Sequence, residues 1–302
     1  MKEFILRIIP IIIFFALGCL FRQFRIFKKE DGSVFLNLVF YLCMPALTFS
    51  SLLETELNAR LLYIPLLPVA VMLFTYVLSR FVLLVKPQNK KTTGTFLIAS
   101  MIMNTGFTLP FFYAGFGNDG FAKAILFDIG NSFLIFTWVY FIAVKAAAVE
   151  GHSKLKMLTK TILLPPLWAL VIALILKQSQ IAMPNPVLSF FKIAGEPTIP
   201  LIMIALGLYF EPSLKYISKS LTVISIRMLG GLLIGLLLMK LIPFDHVTKI
   251  VVIASSAAPV GYNSLVFSSM EELDVPFAAT TVSLSILSGI FYIPLLFFIF
   301  GN

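Results

Sequence analysis

Charge is what this chain has least of. Of its 302 residues only 12% are Asp, Glu, Lys or Arg, and 59% are hydrophobic. A soluble domain is nearer one-quarter charged, so with a mean hydropathy of +1.00 the composition excludes one and reads as an all-α integral membrane protein. Cysteine is scarce as well: Cys19 and Cys43 both fall inside apolar segments, so no disulfide framework is implied. The two histidines, His152 and His246, sit in expected loops with no Cys or carboxylate at metal-ligand spacing. No nucleophile–base pattern and no phosphate-binding loop occurs, so neither an intramembrane enzyme nor an ATP-driven pump is expected, and no cofactor or metal. No stretch is long and polar enough for a separate soluble domain. After residues 1–22 no small-x-small cleavage pattern follows; Arg22 and Arg25 close the run instead, which reads as a retained first span rather than a signal peptide.

What is present is a succession of apolar runs, with 31 Phe residues suited to facing acyl chains. The net charge of +9 lies in the short loops between those runs, as the positive-inside rule produces, and does not point to nucleic acid. Windows of about 20 residues, the length of a membrane-crossing helix, give ten candidates: roughly 4–22, 33–53, 61–85, 92–115, 121–144, 157–177, 187–210, 217–242, 247–268 and 275–300. Placing the loop after the first span inside groups fourteen Lys and Arg there against eight outside, with Arg227 left within the eighth span. Both termini are then expected outside a plasma membrane.

Sliding the chain against itself by 155 residues sets Pro10 on Pro165, Pro45 on Pro200, Ile98-Ala99-Ser100 on Ile253-Ala254-Ser255, and Gly106-Phe107 on Gly261-Tyr262. The order of spans agrees with these local matches. Two repeats follow, 1–150 and 151–302, each of five spans. An odd number per repeat turns the second over relative to the first, and inverted repeats point to secondary transporters.

Within the fourth span lies NTGFTLP, and within the ninth PVGYNSL. In hydrocarbon every backbone N–H and C=O needs a partner, so irregular backbone survives only where protein encloses it. Broken helices at equivalent places in two inverted halves are a sequence pointer to a substrate site. Their N-terminal ends offer unpaired N–H groups and about half a positive charge, suited to an anion. The amides of Asn104 and Asn263 can donate to a carboxylate. Thr105, Gly106, Pro259 and Gly261 complete the two breaks. The bland alternative is that Gly and Pro simply occur more often in membrane helices than in soluble ones.

The chain resembles the auxin efflux carrier family, whose bacterial branch includes malate and malonate permeases. The resemblance runs nearly end to end, through LNLVFYLCMPALTFSSLLE (36–54), NTGFTLPFFYAGFG (104–117), Asp128 and Asn131, and AAPVGYNSLVF (257–267). It implies ten helices in two inverted repeats, with the broken fourth and ninth crossing at the membrane midplane to hold the substrate. It further implies a scaffold of spans 1, 2, 6 and 7, a moving unit of spans 3–5 and 8–10, elevator-type alternating access, and a homodimer. Plant members carry a proline where this chain has Met103, so the fourth-span break is expected to come from Gly106 and Pro110. The loop of residues 145–156 is short beside that of many plant members.

Several other residues have two readings. Asp128 is an ionisable group inside the membrane, costly and functional by default; it binds a coupling proton or cation such as sodium, or it braces Asn131. A carboxylate beside an anion site repels substrate unless protonated, which would tie transport to pH. Arg227 is a counter-charge for a carboxylate or snorkels to headgroups. Ser50 and Ser51 face the transport unit or only pack. Glu196, before Pro197, reads as a loop or scaffold-interface residue, and Gly231 with Gly235 as close helix packing. The expectation is a secondary carrier of a small organic anion, with Phe107 and Tyr262 keeping a bulkier aromatic carboxylate open. A channel would want rings of like charge or carbonyls along a pore, and a sensor an output domain; neither pattern is seen.

Overall fold

The computed structural model describes residues 2–54, 59–147, 165–180, 183–211 and 216–301. Residues 148–156 of the expected short loop lie outside these, as do its His152, Lys154 and Lys156, and also Lys160 and Lys215. The described chain is helical: α1 Lys2–Gln23, α2 Asp31–Glu54, α3 Leu61–Val85, α4 Lys90–Met101, α5 Thr105–Ala146, α6 Pro165–Gln178, α7 Asn185–Tyr209, α8 Ile217–Leu241, α9 His246–Ser256, α10 Asn263–Met270 and α11 Val275–Phe300. Among the described residues there is no β-strand, only an isolated antiparallel bridge between Met103 and Val260.

The helices begin where the sequence supplies caps. Asn89, Asn104, Asp245 and Asp274 each accept a hydrogen bond from the N–H three residues on, satisfying one of the free donors of a helix start. Six helices among the described residues, α2, α3, α5, α7, α8 and α11, are long and apolar enough to cross a membrane. Their outer faces carry apolar residues at helical spacing, such as Leu233, Leu237 and Leu241 on α8 and Phe291, Leu295 and Phe298 on α11, all exposed. The difference from ten windows has identifiable sources. The expected fourth span is divided between α4 and the start of α5, and the ninth between α9 and α10. The rest of the fourth span and the fifth both fall within α5, which is two helices meeting at a bend. Gly117, at φ 59 and ψ −144, interrupts that helix.

The chain forms two compact units, each drawn from both sequence halves. The first holds Met1–Ala59, Leu109–Ile125 and Ile162–Phe210. In it α1 lies on the later half of α7 with backbones nearly touching: a Cβ built on Gly207 would stand 2.8 Å from Gly18 Cα and as close to Cys19 N. Small residues allow such approaches where lipid gives helices no hydrophobic reason to associate. Two basic side chains cap helix ends here. Arg22 Nη1 donates to Leu208 O (3.3 Å) and Phe210 O (2.8 Å), and Lys177 Nζ to Leu52 O (3.0 Å) and Leu53 O (3.2 Å).

The second unit holds Arg60–Thr108, Leu126–Thr161 and Glu211–Asn302. One end of it is tied by polar contacts: Thr92 Oγ1 donates to Asp274 Oδ2 (2.8 Å), Asp274 N–H to Thr95 Oγ1 (3.0 Å), and Tyr140 Oη to Glu271 Oε1 (2.5 Å). Gly231 and Gly235 of α8 face Ser256 at the end of α9, so the small-residue pair packs within this unit.

Candidate functional site

Two helices stop inside the second unit and restart a few residues on. After α4 the backbone is extended at Ile102 (φ −73, ψ 120), and Asn104 (φ −84, ψ 71) leads into α5. After α9 the chain is irregular from Ala257 until α10 starts at Asn263. The two irregular stretches run antiparallel against each other. Asn104 N–H donates to Pro259 O and Gly261 N–H to Ile102 O, both at 2.9 Å, with Met103 and Val260 paired between them. Val260 N–H donates sideways to Ser285 Oγ of α11 (3.1 Å). Backbone groups that a continuous helix would have paired find partners in this way, as a low-dielectric interior requires. The approach is close: a Cβ on Gly261 would collide with the Ile102 side chain and lie 3.2 Å from Met103 O.

The break does not come from Gly106 and Pro110 as expected. Both lie inside α5, downstream of the extended residues. The physical cause is the pairing with Pro259 and Gly261 together with the Asn104 cap, whose Oδ1 accepts from Phe107 N–H at 3.2 Å.

Asn104 is 8% exposed, and its Nδ2 is buried without a hydrogen-bond partner. Thr105 donates its hydroxyl to Asp128 Oδ1. One turn after Asp128, Asn131 is buried, with Nδ2 directed at Met103 O (3.3 Å), Thr105 Oγ1 (3.2 Å) and Asp128 Oδ1 (3.1 Å); its own Oδ1 has no partner. Asp128 and Asn131 therefore hold the start of α5 to its later turns.

The structure thus brings together Asn104, Thr105, Asp128, Asn131, Pro259 and Gly261. Gly106 stands in the first turn of α5, where a Cβ would have Asn104 Oδ1 at 3.8 Å. Asn263 is the first residue of α10 and half-buried. Arg227 is fully buried, with Nη1 donating to Met101 O (3.2 Å) and Nη2 to Ser256 O. Ser50 belongs to the first unit, where its hydroxyl donates to Ala46 O (3.1 Å) or Leu47 O (3.2 Å) of its own helix, while Ser51 donates to Asn118 Oδ1 (3.1 Å). Glu196 is exposed, and Phe107 is fully buried. Sequence reasoning missed Ser285, one of several hydroxyls along α11 with nothing to single it out from Thr281, Ser283 or Ser288, and the carbonyls of Met101 and Ser256.

A family model described as Membrane transport protein matches residues 3–299. The chain is 26% identical over 290 residues to an uncharacterized transporter of Methanocaldococcus jannaschii, covering 91% of this chain and 92% of that one. It is 25% identical over 298 residues to an uncharacterized transporter of Methanothermobacter thermautotrophicus, covering 95% of each. Together with the apolar helices and the end-to-end resemblance in sequence, this makes the chain a multi-pass membrane transporter that belongs to the Membrane transport protein family, the family of the auxin efflux carriers.

Proposed function

We propose that this transporter is a secondary active carrier of small organic anions, carboxylates such as malate or malonate, which bind where residues 102–104 meet 257–262. The observation that carries the reading is Asn104 Nδ2, a donor buried without a protein partner at a point where α5 starts and α9 has just ended. A buried unsatisfied donor costs about 1–3 kcal/mol, and a substrate carboxylate would remove that cost. The first N–H groups of α5 and α10 add donors and positive potential of the same sign.

The carrier crosses the plasma membrane ten times in two inverted repeats, with both termini outside, and works as a homodimer by an elevator mechanism. What supports this is the resemblance, together with the division of the helices: α1, α2, α6 and α7 fall in the first unit, and α3, α4 and α8–α11 in the second. Residues 109–125 depart from that assignment by clustering with the first. Asp128 is the coupling group for a proton or sodium ion, a role supported by its hydrogen bonds to Thr105 and Asn131. A change in its occupancy would be felt at the start of α5.

The test is uptake of labelled malate into proteoliposomes at several pH values, with and without sodium, for wild type and Asn104→Ala. Saturable uptake that the substitution abolishes is the expected result. Undiminished uptake by Asn104→Ala would remove the crossing as the site. Absence of uptake by folded wild type would remove malate and direct the same assay to aromatic carboxylates.

A further inference from the structure

Four helix ends meet at the crossing: the C-terminal ends of α4 and α9 and the N-terminal ends of α5 and α10. C-terminal ends carry about half a negative charge each and N-terminal ends about half a positive one, so the ends alone give the place no net sign. The last carbonyls of α4 and α9 also lose the donors that a continuing helix would have offered. Both needs are met by one side chain. Arg227 sits in a π-helical turn of α8, Ser225–Gly230, and π-turns of this kind are frequent at functional sites. Its two terminal nitrogens reach two different helices, at Met101 O and Ser256 O. Arg227, Met101 and Ser256 are all fully buried, and no carboxylate among the described residues pairs with the guanidinium. The seat is shaped for it as well: a Cβ on the next residue but three, Gly231, would collide with Ser256 O and with Arg227 Nη2.

We infer that Arg227 is the positioning residue of the crossing, a clamp that ties the C-terminal ends of α4 and α9 to one point and neutralises them. With those ends neutralised, the N-terminal ends of α5 and α10 leave the crossing positive, which suits it to an anion. This rests on the reading of the crossing as the substrate site. The forked guanidinium matters because it presents two donors in a rigid plane, whereas a lysine ammonium is a single point of charge on a flexible stem.

The test reads the crossing directly, without a substrate. Met103 and Val260 are a non-hydrogen-bonded antiparallel pair, a geometry with Cα atoms about 4.5 Å apart, within reach of a disulfide. Met103→Cys with Val260→Cys, in a background of Cys19→Ala and Cys43→Ala, is oxidised with diamide, and free thiols are counted by mass spectrometry. Cross-linking is expected to be fast with Arg227 present and slower by at least about tenfold with Arg227→Lys, which loses a charge-assisted hydrogen bond. Gly231→Ala should slow it similarly while keeping the arginine and its charge, and it decides the matter if replacements of Arg227 fail to accumulate. An equal or faster rate in either variant, recovered as monodisperse as the parent, overturns the clamp. In the malate assay Arg227→Lys should raise the half-saturating concentration more than it lowers the maximal rate. Failure of wild type to carry malate would unseat the substrate reading and leave the cross-linking result standing.

Discussion

Asn104 has one amide and two uses for it. Its Oδ1 holds the first turn of α5 by accepting from Phe107 N–H, and its Nδ2 is the unpartnered donor. Substitutions separate the two. Asn104→Ser retains a good cap and should unfold near the wild-type temperature, whereas Asn104→Ala should lose about 1 kcal/mol; both should abolish anion uptake. Thermal unfolding in detergent beside proteoliposome uptake checks this, and uptake retained by the serine variant would assign Asn104 to capping alone. Asn131 was legible as the partner of Asp128, since residues three apart on a helix are neighbours. That it also holds Met103 O was not, because a backbone carbonyl leaves no mark in the sequence. Removing its amide in Asn131→Ala strands buried acceptors and should cost roughly 1–3 kcal/mol, read from the same unfolding curves.

At the level of helices, sequence and structure agree on which ones are broken and, for the fourth span, differ on where. The motifs NTGFTLP and PVGYNSL drew attention to Gly and Pro, yet the fourth-span break lies at 102–104. Its extended backbone is held by a segment more than a hundred residues away, and no local propensity reports such a partner. Gly117 is a contrasting case, where the cause is local. At φ +59 it occupies a conformation that residues with a Cβ disfavour, and nothing lies within 4 Å of where that Cβ would be. Gly117→Ala and Gly117→Asn should therefore both destabilise through the backbone alone, by roughly 1–3 kcal/mol, since ψ −144 lies outside the left-handed helical region that Asn tolerates. Unfolding temperatures unchanged in both variants would show that this conformation is not what the substitutions disturb. Helix ends also account for part of the positive excess. Besides Arg227, Arg22 caps the end of α7, Lys177 that of α2, and Lys90 Nζ donates to Ala147 O (3.1 Å) just past α5. Lys177→Met should cost about 0.3–1 kcal/mol, or somewhat more for a partly buried end, again by thermal unfolding.

On the scale of the whole molecule, the proposed repeat would divide the sequence into consecutive halves, whereas the compact units each take helices from both. Alternating access predicts that a thiol at the crossing is reachable from either face in turn. In Asn263→Cys, with the two native cysteines replaced, a membrane-impermeant maleimide added to right-side-out vesicles should label a fraction that changes when malate is supplied. Labelling indifferent to every carboxylate tested would count against a moving site. Tags at both termini should be digested by external protease, as the excess of Lys and Arg assigned to the inside demands; protection of either tag would reverse the orientation.

Composition alone determined that this is a membrane protein, because a chain so apolar cannot be solvated otherwise. The matched breaks marked where helices could not run on, because polar and helix-breaking residues in a lipid-spanning segment need enclosing protein. Tertiary structure alone decided what fills those breaks. The antiparallel pairing of 102–104 with 259–261 and the reach of Arg227 to Met101 and Ser256 are contacts to backbone atoms. Backbone carbonyls and amides are the same at every position, so only bringing distant segments together selects among them.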